Sequence, residues 1–166
     1  VVSPQAETFA WVHQPTRPAP SRESLPKRAD IERYEIRGEL GRGGMGVVLE
    51  AYDPQLQRSI AIKVLQAERF AGAEAAERFL AEARAAAAVE HDHITPVYAI
   101  EMLAGAPCIV MPLLRGQTLQ QRLETTHGPL PTAEILQIGI ETAAGLAAAH
   151  ARGLVHRDIK PANLWL

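Results

Sequence analysis

With 166 residues and a net charge of -2, the chain can bury one substantial core and has no broad basic field for a nucleic-acid backbone or an anionic membrane surface. Cys108 is its one cysteine, which excludes an internal disulfide and fits a reducing cytoplasm. No apolar run reaches the roughly 18 residues that span a bilayer, and the N-terminus lacks a basic-then-apolar signal pattern.

Residues 1–33 hold five of the twelve prolines among Ser, Gln and charged residues. Their apolar residues are too scattered to form a stripe, so the segment reads as a disordered or extended tail. Pro15, Pro18 and Pro20 leave a polyproline ligand open beside the plainer reading as linker.

From Tyr34 the pattern predicts antiparallel strands over 34–40, 47–52 and 59–65. Between the first two lies Gly41-Arg42-Gly43-Gly44-Met45-Gly46. A dinucleotide-binding fold would open a helix after the last glycine, whereas Val47-Val48-Leu49 continues as strand and Asp53-Pro54 marks a turn. The glycines then make a hairpin lid whose backbone can lie close over phosphates. A glycine-rich hairpin without a ligand is the plainer alternative.

In the third strand Ile60, Ile62 and Val64 point one way and Ala61, Lys63 and Leu65 the other. A lysine in so apolar a strand needs an anion, or else reaches solvent along an edge. The alanine-rich stretch 73–89 predicts a helix with Ala75, Phe79, Glu82, Ala86 and Val89 on one stripe. Glu82 is the misfit: it pairs with a cation or snorkels from the stripe's edge.

His91-Asp92-His93 occupy successive positions, a poor arrangement for one metal ion, and read as a loop. Strands over 97–103 and 107–112 flank Ala104-Gly105-Ala106. A short helix over 118–126 follows, then Pro129 and Pro131 break the chain before Thr132 caps a helix to about Ala151. Ile135, Ile138, Leu146 and His150 lie near its stripe, and Gly153 stops it. Leu154-Val155 is expected as a short strand into His156-Arg157-Asp158-Ile159-Lys160-Pro161-Ala162-Asn163.

That last stretch gathers an acid, two cations and a carboxamide within eight positions. The spacing suits phosphoryl transfer: Asp158 to accept a hydroxyl proton, Lys160 to neutralise charge on the moving phosphoryl group, and Asn163 to offer its carbonyl oxygen to Mg²⁺. His-Arg-Asp followed by Asn five residues after the Asp resembles the catalytic loop of eukaryotic-type protein kinases, and Lys-Pro after the Asp resembles their serine/threonine branch.

Glycine loop, strand lysine, helix glutamate and catalytic loop come in the order of that family, and the chain is most similar to its bacterial members. The resemblance implies an α+β, protein-kinase-like fold: an antiparallel small lobe with a helix, over 34–114, then the start of a mainly helical large lobe over 115–166. It implies ATP and Mg²⁺ as cofactors and Ser/Thr-bearing proteins as substrates. Ile60-Ala61-Ile62-Lys63 is similar to the family's Val-Ala-Ile-Lys, which makes Lys63 the contact to the α- and β-phosphates and Glu82 its partner. Leu40, Gly41, Gly43, Gly44 and Gly46 become nucleotide contacts, with Val48 and Ala61 over the adenine.

Cys108 to Gly116 resembles the segment joining the lobes. It sets Met111 behind the adenine, with the Pro112 carbonyl and the Leu114 amide on the base edge. Pro112 stands where an acidic residue is common; it lacks an amide hydrogen, but only its carbonyl is required. A complete domain of this family needs more than about 250 residues, so the chain is expected to be cut short before the metal-binding Asp-Phe-Gly and to be inactive alone. A nucleotide-binding pseudokinase and a non-enzymatic interaction module are the alternatives; Lys63, Asp158 and Asn163 all being present weighs against the first.

Overall fold

A computed structural model describes residues 33–43, 46–65, 81, 83–103 and 106–166. The tail reading of residues 1–32, Gly44, and Glu82 with Ala75 and Phe79 on its stripe all lie outside the described residues.

Five strands form one antiparallel sheet: β1 (Glu35–Gly43), β2 (Gly46–Asp53), β3 (Arg58–Leu65), β4 (Ala99–Leu103) and β5 (Ala106–Pro112), in the order β1-β2-β3-β5-β4. Alternation along the strands loads both faces. Val47, Leu49 and Ala51 meet Ile60, Ile62, Cys108 and Val110 on one side, with Tyr34, Ile36 and Val64 around them. On the other, Val48, Ala61 and Met111 pack with Leu40 and Leu113. Leu49, Ile60 and Ile62 are fully buried, each contributing about 1.5–3 kcal/mol of hydrophobic free energy.

Local chemistry sets the ends of these strands. Asp53, buried, accepts the amides of Gln55 and Leu56 at 3.0 and 3.1 Å, an Asx turn that folds β2 onto β3. Although β1 and β4 are opposite edges, Arg33 and Tyr34 both donate to Glu101 Oε1 at 3.0 Å, strapping the start of the sheet across its first face. Gly46 has φ +135°, and a Cβ there would lie 2.0 Å from the Val64 carbonyl oxygen. Only glycine permits β2 to leave the lid so close to β3.

The described part of the helix before the loop ends at Ala87. Ala83, Ala86 and Val89 are buried, and Ala83 packs on Leu65 and Ile109. A short helix, Leu119–Thr125, starts from a capping box: Gln121 N–H donates to Thr118 Oγ1 at 3.2 Å and Thr118 N–H to Gln121 Oε1 at 2.8 Å, which satisfies donors at both ends of the box. The long helix Thr132–Ala151 differs from expectation at its start, because Pro131, already extended at φ -55° and ψ 139°, is the N-cap and Thr132 is the first helical residue. A Schellman turn ends it at Gly153 (φ +75°), with Gly153 N–H on His150 O and Leu154 N–H on Ala149 O. Arg122 ties the two helices through Glu134 at 3.1 and 3.3 Å.

Of two further features, one corrects an expectation, that of a short strand over Leu154-Val155; the other is that Gly145 and Ala149 make the buried line of the long helix, while Ile135 and His150 on its stripe are exposed. The reason is close approach: a Cβ on Gly145 would sit 2.9 Å from the His93 carbonyl oxygen, so small residues, not large ones, face the turn at 91–93. Leu154-Val155 has no regular structure, because the described residues offer it no partner for a ladder. The antiparallel pairing falls later, where Leu119 N–H donates to Leu164 O at 2.8 Å and Leu166 N–H to Gln117 O at 2.9 Å.

Candidate active site

The Pro161–Asn163 3₁₀ turn brings Asn163 back towards Asp158. Asn163 Nδ2 donates to the Asp158 backbone oxygen at 2.7 Å and to its Oδ2 at 3.0 Å, and Lys160 Nζ lies 2.8 Å from the same Oδ2. Asp158, Lys160 and Asn163 thus form one cluster. The Lys160 ammonium, with help from the Asn163 bond, holds the Asp158 carboxyl below its ordinary range, leaving it ionised at neutral pH.

The bonds made by Nδ2 fix the Asn163 amide. They leave Oδ1 buried with no hydrogen-bond partner among the described residues. A buried acceptor without a donor costs about 1–3 kcal/mol, and a hard cation is one group that satisfies it. His156, unassigned by the spacing argument, is buried and accepts the Asp158 amide on Nδ1 at 3.2 Å. Burial, offset in part by Asp158, lowers its pKa, and neutral Nδ1 then serves as acceptor. Arg157 between them takes φ 61°, a left-handed conformation uncommon outside glycine.

Lys63 faces this loop from β3. It is 5% exposed, and burial lowers its pKa to about 8 despite the opposing pull of the Asp158 carboxylate. The two charges are therefore within electrostatic reach. On the same sheet face lies the apolar ceiling of Leu40, Val48, Ala61, Met111 and Leu113. Register places Val48 against Lys63, and Ala61 against Met111. The spacing argument missed Leu113; its signal is alternation, since it stands two positions beyond buried Met111.

Gly41 pairs with Val48 and Gly43 with Gly46, so the glycine stretch is the β1–β2 hairpin. Pro112 closes β5 opposite Ile60, and Leu114 follows half-buried outside the strand. Trp165 Nε1 donates to the Arg115 carbonyl at 2.7 Å, tying that segment to the strand-like end of the chain. A Cβ on Gly116 (φ +109°) would be 2.2 Å from Leu166 O, so a glycine is needed there too. Behind the loop a cavity of about 340 Å³ is lined by His93, Gly145, His156, Asn163 and Leu166 among others. The lid and ceiling residues do not line it.

The chain is similar in sequence and fold to known proteins. The family model described as protein kinase domain matches residues 34–166. The chain is 43% identical over 130 residues to the serine/threonine-protein kinase PknK of Mycobacterium tuberculosis, covering 77% of this chain and 11% of that protein. It is 39% identical over 139 residues to PknB of Mycobacterium leprae, covering 81% and 22%. The crystal structure of the Mycobacterium tuberculosis PknI kinase domain superposes with a TM-score of 0.74 at 33% identity, over 86% of this chain and 59% of that one. The chain therefore spans less than a quarter of the two curated relatives and less than two thirds of the crystallised kinase domain.

Proposed function

The chain belongs to the protein kinase family, and on that premise we propose that it carries the nucleotide site and catalytic loop of an ATP-dependent serine/threonine protein kinase. The observation that carries the reading is the Asp158–Lys160–Asn163 cluster lying within electrostatic reach of buried Lys63. A cation buried at this cost is retained where anions meet it, and this reading gives Lys63 the phosphates of ATP in addition to carboxylate neighbours such as Asp158.

In this reading the adenine enters between Leu40, Val48 and Ala61 above, with Met111 behind and the Pro112 carbonyl and Leu114 amide on its edge. Gly41, Gly43, Gly44 and Gly46 bring backbone over the phosphates. Lys63 holds the α- and β-phosphates, with Glu82 as its partner. Asn163 Oδ1, the buried acceptor, fits as a Mg²⁺ ligand; bound Mg²⁺ supplies positive charge beside the phosphates.

Asp158 takes the proton of a Ser or Thr hydroxyl of a protein substrate as its oxygen attacks the γ-phosphorus of ATP, the bond from that phosphorus to the β,γ-bridging oxygen breaks, and ADP leaves. Lys160, bonded to Asp158, keeps that carboxylate ionised and adds charge where the transferred group gains it. The test is Asp158→Asn in the full-length protein carrying this chain, assayed with radiolabelled ATP and a basic protein substrate. Transfer to Ser and Thr by the wild type is expected, with ATP still bound by the variant. Undiminished transfer by the variant overturns the assignment.

A further inference from the structure

β1 carries an irregularity that the nucleotide reading does not use. Its register runs Glu39↔Leu49, then Gly41↔Val48 and Arg42↔Val47, so Leu40 is an extra residue without a partner. Residues three apart in a regular strand point to opposite faces. The extra residue restores Glu39 and Arg42 to one face, that of Leu49 and Val47, and there they form a fork: Arg42 Nε to Glu39 Oε1 at 3.2 Å and Nη2 to Oε2 at 2.8 Å. The fork spans the bulge on that face, opposite the ceiling of Val48, Ala61 and Met111. Leu40 is displaced towards the other face, where it packs with Val48, Ala61 and Met111.

The Glu39 side chain is only 18% exposed against 50% for Arg42, so the carboxylate is the anchored member and Arg42 the arm that reaches back from the lid. Bidentate guanidinium pairs add geometric specificity as well as energy, and bulges re-aim the side chains beside them. We propose that Glu39 and Arg42 are positioning residues for the nucleotide: their fork fixes the bulge, and through it the seat of Leu40 over the base and of Gly41 at the root of the lid. Both lie on the sheet face opposite Val48 and Ala61. The inference rests on the nucleotide site proposed above.

The experiment uses the full-length protein carrying this chain and compares wild type, Glu39→Gln, Arg42→Gln, the reciprocal double variant Glu39→Arg/Arg42→Glu, and Lys63→Met. KM for ATP, kcat and melting temperature are measured for each. Each single neutralisation is expected to raise KM for ATP about fivefold, the equivalent of about 1 kcal/mol from one well-formed surface pair. The change in kcat is expected to be under about twofold, as for lost ground-state positioning. The reciprocal variant is expected to recover most of the KM change, which a general loss of stability would not do. An unchanged KM in both single variants, or a KM rise that follows the melting temperature and is not recovered by the exchange, overturns the inference. Full turnover by Lys63→Met would instead remove the nucleotide site itself, and this inference with it.

Discussion

The sheet and the loop around Asp158 are held in place by different physics. In β1–β5 nearly every inward residue is buried on one face or the other, and register alone decides that Val48 lies beside Lys63. The loop has no ladder of its own; three polar contacts of 2.7–3.0 Å on Asp158 hold its geometry. Apolar packing is non-directional and collectively large, whereas a polar cluster is directional and modest in net energy. The first suits a platform, and the second suits groups that must point at reacting atoms.

Asp158→Asn is the sharpest way to separate them. Loss of a general base lowers turnover by about 10²–10⁴, or about 3–5 kcal/mol of barrier, while the melting temperature is expected to change little, because asparagine keeps an oxygen for the Asn163 amide and the lost pair is with half-exposed Lys160. A large loss of stability in calorimetry would mean that the loop, like the sheet, is held by this residue's packing. Leu49→Ala is the reverse case: deleting a fully buried side chain is expected to cost about 2–5 kcal/mol in urea unfolding, and a loss under about 1 kcal/mol would show that the sheet's two-sided packing is looser than its burial implies.

Lys63 belongs to both regions. Its folded pKa of about 8 lies below the ordinary 10.5, so the group favours folding fully only above pH 10.5, and its contribution is lost as pH falls towards 8. Lys63→Met is expected to cut turnover sharply. The stability difference between the variant and the wild type is expected to shift in favour of the wild type as pH rises from about 8 to 10.5, because only the wild type carries the cost of burying a charged ammonium below that window. Urea unfolding at about pH 7 and about pH 10 measures it, and a difference that does not change with pH would show that Lys63 is not desolvated in the folded protein.

The smallest effect is expected on the outer face of the long helix. Ile140 is 65% exposed, and Ile140→Ala in the 166-residue chain should shift unfolding by no more than about 0.5 kcal/mol. A cost like that of Leu49→Ala would show this helix to be packed in solution.

Much of this was legible in the residues themselves. Period-two alternation in Ile60 to Leu65 predicted both faces of β3, because each strand residue must point to one side or the other. The spacing of Asp158, Lys160 and Asn163 foretold their cluster, since a proline-led turn leaves little freedom over so short a stretch. Helix signals placed the short and long helices to within a residue or two, though which face of the long helix is buried was decided by the backbone of His93, a neighbour far away in sequence. The same holds for the bulge at Leu40, the neutral acceptor His156, the bond from Trp165 to Arg115 and the depressed pKa of Lys63. Local sequence determines which conformations a segment can adopt and what chemistry it can offer. Only tertiary structure decides close approach and desolvation, because both depend on atoms brought together from distant parts of the chain.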